Sequence, residues 1–197
     1  VNGVRQFVHI SSFSVYGRSP QIDRLSAPAP VTLYGRSKKS ADDALIALRN
    51  EQLTMAILRL PLVYAPGAMG KLGKIMRLWS TARIIPVRAG DVRRSMISAK
   101  MAAQIIELMC ERPIDGGVFL AADPEPFSYR RAARCRGEAL RTVALPEVVA
   151  KFLRLATPNI SASMFGDSYL DKTANFAKKL NLPSTLYQDI SSLDLKS

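Results

Sequence analysis

Two short apolar runs with a helical stretch between them limit this chain more than any other feature of its sequence. Residues 6–11, Gln6-Phe7-Val8-His9-Ile10-Ser11, read as a buried strand, short and rich in β-branched and aromatic side chains. Within residues 34–52, Ala41, Leu45, Ile46 and Leu48 recur at helical spacing, which predicts a helix. Residues 54–60 form a second strand, ended by Pro61. Strand, helix, strand in that order is the pattern of a parallel sheet covered by helices. The loop over residues 16–33 is marked by Gly17, Pro20, Pro28 and Pro30.

The same pattern continues less regularly. Helices are expected over 71–81, 99–110 and 146–155, with a basic helix starting at Ser128 and a short one over 172–180. Short strands are expected over 84–87 and 117–121. The tail from Pro158 is expected to be peripheral. A hydrophobic share of 48% is enough for a sizeable core, and no apolar run approaches the length of a membrane span. Two cysteines, Cys110 and Cys135, make no disulfide framework, so a reducing, cytoplasmic setting is expected. With His9 the single histidine, a structural zinc site is not expected. The formal net charge of +12 raises the question of nucleic acid. Its basic residues are dispersed and carry no zinc-finger or aromatic RNA-binding pattern, so attraction to anionic ligands is the better inference.

The chemistry concentrates in two places. Tyr34-Gly35-Arg36-Ser37-Lys38 puts a phenol and an ammonium one helical turn apart, hence on one face. A cation beside a phenol stabilises phenolate, as an acid/base acting on an alcohol requires. About twenty residues earlier the first strand runs into Ser11-Ser12-Phe13-Ser14-Val15-Tyr16-Gly17. A hydroxyl at the carboxyl end of a parallel strand faces the crevice where open α/β sheets bind ligands. Taken singly, each motif could be a surface pair or a serine turn; it is the combination that is uncommon. His9, inside an apolar strand, is expected to be a satisfied core residue. Cys110 and Trp79 read as core for the same reason.

These residues resemble the extended short-chain dehydrogenases/reductases, in particular the NAD-dependent epimerase/dehydratase family. The segment from His9 to Gly17 is similar to that family's strand-end motif, and Tyr34 to Lys38 to its Tyr-x-x-x-Lys. Leu58 to Gly67 resembles its next strand and substrate loop, and Arg93 to Ile97 the segment supplying a diphosphate-binding arginine. The resemblance implies a partial Rossmann-like parallel sheet with helices on both faces and a small carboxy-terminal substrate region. It implies residues 1–122 as catalytic part and 123–197 as substrate-binding helical region. By position it makes Ser12, Tyr34 and Lys38 catalytic, places Tyr34, Lys38 and Pro61 on the cofactor, and places Ser12 and Arg94 on the substrate. The implied cofactor is NAD, with NADP as the alternative. The implied partner is a nucleotide-sugar, with no nucleic acid, no membrane span, and a homodimer as candidate assembly.

Three departures bear on this reading. The family's glycine-rich turn would lie upstream of Ser12, and nothing of that kind stands there, which implies a fragment. Leu62 replaces a frequent substrate-contacting asparagine, and Lys100 falls near a usual aspartate. Gly67-Ala68-Met69-Gly70-Lys71-Leu72-Gly73 has dinucleotide-loop spacing, with Asp91 about twenty residues on. Pro66 interrupts its turn, and it follows the Tyr-x-x-x-Lys rather than preceding it, so it reads better as a loop over the sugar. The expected activity is a 4-epimerase-like transient oxidation of a sugar hydroxyl. The alternatives are an NAD(P)-dependent reductase of the same superfamily or a non-catalytic truncated chain.

Overall fold

Parallel pairing joins the strands that the structure describes. The computed structural model describes residues 3–50, 52–65, 70–86, 92–144 and 167–192. Its elements follow in the order β1 (Gln6–Ser12), a 3-10 turn (Phe13–Tyr16), β2 (Gln21–Ile22), α1 (Leu33–Ala47), β3 (Thr54–Leu60), β4 (Leu62–Tyr64), α2 (Gly70–Ala82) and β5 (Ile84–Pro86). They continue with β6 (Met96–Ser98), α3 (Ala99–Glu111), β7 (Gly117–Leu120), α4 (Tyr129–Cys135), β8 (Arg141–Val143), β9 (Tyr169–Leu170), α5 (Phe176–Lys179) and α6 (Leu186–Ser191). β1, β3 and β7 form one sheet in that order, while β2–β9, β4–β6 and β5–β8 are two-stranded; every pair is parallel.

Strand side chains alternate between the two faces of a sheet, and the main sheet uses both. Ala56, Leu58, Leu60 and Ala121 face α3, whose Met101, Ala102, Ile105 and Met109 close a core with Ile97. Each buried Leu, Ile or Met among them contributes about 1.5–3 kcal/mol by leaving water. The opposite face carries His9 and Arg59, both directed at Asp42 of α1. Helices therefore cover both faces, which is the Rossmann-like arrangement expected. A second core joins Met76 and Trp79 of α2, Ile85, Met96, Phe127, Tyr129 and Ala132 to Leu186, Tyr187 and Ile190 of α6. Tyr129 stands edge-on to both Trp79 and Phe127, with centroids 4.5 and 4.8 Å away. Among the described residues no helix is long and apolar enough to cross a membrane.

Several expectations need correction. The first helix stops at Ala47 rather than Gln52, because Asn50 Oδ1 accepts from the backbone N–H of Gln52 and Leu53 and turns the chain into β3. The loop after the first strand contains β2, paired with β9. The tail is not peripheral: Leu170, Leu186 and Ile190 are buried in the cores. The helix expected over 172–180 is confined to Phe176–Lys179, started by Asn175, whose side chain accepts from the Ala177 N–H. Cys110 is exposed, since the buried face of α3 is the one carrying Met101, Ile105 and Met109. The helix expected over 146–155 and residues 67–69 of the Gly67–Gly73 loop read as covering the sugar lie outside the described residues, while Gly70 to Gly73 are not loop but the first turn of α2.

Candidate active site

β1 delivers the serines to the carboxyl edge of the main sheet. Its register pairs Ser12 with Leu60, so Ser12 and Pro61 sit at the same end of adjacent parallel strands. The chain then tightens into the 3-10 turn, capped by Ser12 itself. Its hydroxyl accepts from the Ser14 N–H and donates to Ser14 Oγ, both at 3.2 Å. Gly17 ends the turn with φ +64, a backbone state suited to glycine, and its α-carbon lies against the Ala29 carbonyl.

α1 is brought onto this turn by one residue. Gly35 is buried, and a Cβ there would overlap the Ser14 carbonyl oxygen and press on Pro30. Only a glycine lets the first turn of the helix come so close. Thr32 caps the same turn, accepting from the Gly35 N–H at 3.0 Å. Tyr34, next to Gly35 at this contact, is 56% exposed. One turn on, Lys38 Nζ donates to the Ile10 carbonyl at 3.0 Å, which pins the ammonium to the end of β1. An ammonium has three donors, and the other two have no protein acceptor among the described residues. They suit the diol of a nicotinamide ribose, so Lys38 fits the cofactor the motif implies.

A buried polar network fastens these parts together. Asp42, fully buried one turn beyond Lys38, takes Arg59 Nε and Nη2 on Oδ2 at 2.9 Å each. Arg59 Nη1 donates to the Tyr16 hydroxyl at 2.8 Å, and the guanidinium lies over the Tyr16 ring. His9 Nε2 faces Asp42 Oδ1 at 3.6 Å, and neither atom has a hydrogen-bond partner among the described residues. The histidine is thus not the satisfied core residue expected; it belongs to an array with Asp42. Burial lowers its pKa from 6.5, Asp42 opposes that, and Lys38 adds to it.

The register sets Ser12 and Pro61 at one strand end, Lys38 reaches Ile10 of the same strand, and Gly35, next to Tyr34, abuts Ser14. Arg94 belongs to another neighbourhood. Its backbone exchanges hydrogen bonds with Phe127 and bridges to Ser168, beside Tyr129 and Asp167. Burial holds its pKa below the usual arginine value. Sequence reasoning missed Ser14, which shares the Ser12 hydroxyl, and the Asp42–Arg59–Tyr16 network. The spacing of Asp42 from Lys38, one turn on the same helix face, was the available signal for the latter.

A sheet covered on both faces, with a Tyr-x-x-x-Lys helix docked on a strand-end serine turn, defines an α/β protein of Rossmann-like architecture. The chain belongs to the NAD dependent epimerase/dehydratase family, whose model matches residues 1–121. No curated protein matches the chain. Among solved structures it is similar to UDP-N-acetylglucosamine 4-epimerase from Bacillus cereus, with a TM-score of 0.64, 17% identity, and coverage of 93% of this chain and 62% of that one. It is likewise similar to UDP-glucuronic acid 4-epimerase from Bacillus cereus in complex with NAD, with a TM-score of 0.56, 17% identity and coverage of 98% and 61%. A third is dTDP-4-dehydrorhamnose reductase from Bacillus anthracis in complex with NADP, at a TM-score of 0.60, 18% identity and coverage of 94% and 63%. The chain therefore spans a little over three fifths of the length of these structures.

Proposed function

We propose that this chain is the catalytic and substrate-binding part of an NAD-dependent nucleotide-sugar 4-epimerase. The observation that carries the reading is the docking of α1 on the serine turn through Gly35, with Lys38 fixed to Ile10. Residues 1–122 would form the catalytic part and 123–197 the substrate region. Tyr34, Lys38 and Pro61 would hold NAD, which supplies the hydride acceptor and donor at the sugar carbon when bound. The Tyr34 oxygen takes the proton of the sugar 4-hydroxyl as that carbon is oxidised, and returns it after the ketone has turned over. Ser12, released from its bond to Ser14, hydrogen-bonds the same sugar oxygen, while Ser14 receives it back between turnovers. Lys38 holds the ribose and keeps positive charge near the phenol. Arg94 takes the diphosphate, a role that suits a permanently charged, forked donor.

The test is NMR detection of C4 epimerisation of UDP-glucose or UDP-N-acetylglucosamine by the protein containing this chain, with NAD supplied. Tyr34→Phe should lower kcat by about 10²–10⁴-fold, the range for losing a general acid/base. Arg94→Ala should raise the Michaelis constant by an amount equivalent to about 2–4 kcal/mol, as for a lost anion contact. Unchanged epimerisation in Tyr34→Phe would overturn the assignment. A Michaelis constant indifferent to Arg94, together with turnover of a ketone bearing no nucleotide, would favour a reductase of the same superfamily.

A further inference from the structure

A second, strongly basic recess lies at the other end of the small core, where no functional residue has been placed. It runs between the carboxyl ends of α2 and α4 as two adjoining cavities of about 750 and 330 Å³. Arg77, Arg83 and Arg136 line the larger, Arg130 and Arg134 the smaller, and Glu138 borders both. These residues precede or flank the starts of β5 and β8, whereas Ser12 ends β1 and Pro61 follows β3. The recess shares no residue with Ser12, Tyr34, Lys38, Pro61 or Arg94.

Helix carboxyl ends attract cations on their own account, so the size of that effect matters. Each helix terminus carries roughly half a negative charge, about one for the two ends together. Five guanidinium groups line the two cavities, and three of them, Arg77, Arg83 and Arg134, alone exceed what two termini balance. Glu138 is engaged by Arg136 Nε at 2.8 Å, and Arg130 Nη1 reaches Thr142 Oγ1 at 3.2 Å. Among the described residues no carboxylate pairs with Arg77, Arg83 or Arg134. Arg83, moreover, holds a left-handed backbone, φ +53, where glycine would be the easier choice.

We propose that this recess binds a small, multiply charged phosphate-bearing anion, with Arg77 and Arg83 as its principal contacts, at a site separate from the catalytic strand ends. The cavity volumes are those of small-molecule sites, and clustered arginines match phosphate oxygens with forked, charge-assisted bonds. Inorganic pyrophosphate is the probe, titrated calorimetrically at low ionic strength into the full chain. The variant pair is Arg77→Ala with Arg83→Gly, since glycine suits the backbone at position 83 and both side chains are exposed. The control removes two equally exposed charges elsewhere, Arg18→Ala with Arg24→Ala. Affinity should fall by about tenfold or more in the first pair, as for losing hydrogen bonds to a charged group. It should change by no more than about twofold in the control, where distant charges are screened. Equal losses in both pairs, no binding to the parent chain, or binding abolished by Arg94→Ala alone would each overturn the proposal.

Discussion

His9 is the single histidine of the chain, so its ring can be titrated by NMR without assignment. Burial and the Lys38 ammonium push its pKa below 6.5 against the pull of Asp42. The neutral ring is then the form the fold favours. Its contribution to stability is present above pH 6.5 and is lost as the pH falls through the lower folded value. The imidazole midpoint is expected below 6.5 and should rise in Lys38→Met, which removes the neighbouring charge. A parent midpoint above 6.5 would mean that the Asp42 carboxylate outweighs burial. The same residue shows where sequence reading stops. An apolar strand pattern around His9 says that it faces inward on one side of a sheet. It does not say that a helix thirty residues later brings a carboxylate to 3.6 Å.

At the scale of elements, α1 is held to the sheet by the Asp42–Arg59 pair more than by an apolar stripe. Its buried residues are Gly35 and Asp42, while Ile46 is exposed, as is Leu48 just beyond its end. Breaking a buried ion pair by removing one partner costs about 3–5 kcal/mol, because the other charge is stranded. Arg59→Met should lose stability of that order in urea unfolding. Adding Asp42→Leu to it should recover part of the loss, since no lone charge then remains. A loss under about 1 kcal/mol in the single variant would show the pair to be solvated. The apolar periodicity that located this helix correctly thus misjudged what binds it. β3 and α3 were legible because their apolar residues are the buried ones. β1 and β7 were legible from β-branched and aromatic content, although β1 is not the buried strand expected, since Phe7 and Ile10 are exposed, as is Val118 of β7. β2, β4, β6 and β9 are two or three residues long and exist only through partners distant in sequence, so no local pattern marks them. The Tyr34–Lys38 spacing was legible from the sequence. Its docking on Ser14 depends on an absence, the missing side chain of Gly35, which no periodicity displays.

Across the whole molecule, the small core is where alkali should act first. Burial raises the phenols of Tyr129 and Tyr187 to about 12, although Arg94 favours ionisation of the former and the Ser128 N–H that of the latter. Tyr187 also donates to the Pro126 carbonyl at 2.8 Å. The fold favours both neutral phenols, so their contribution persists below pH 10 and is lost between 10 and about 12. Trp79 packs on Tyr129, so its near-ultraviolet circular dichroism should vanish as the last tyrosines ionise. Ionisation of all 6 tyrosines near pH 10 with that signal intact would contradict this. Exclusively parallel pairing among the described strands also governs the order of events in time. No pair can start from a closed hairpin, and each must wait for a crossover. The longest wait is for β2, whose Gln21 meets Asp171 across 150 positions. Because Leu170 covers Ile22, and Leu186 and Ile190 complete the second core, neither cluster can close until residues 170–190 have left the ribosome.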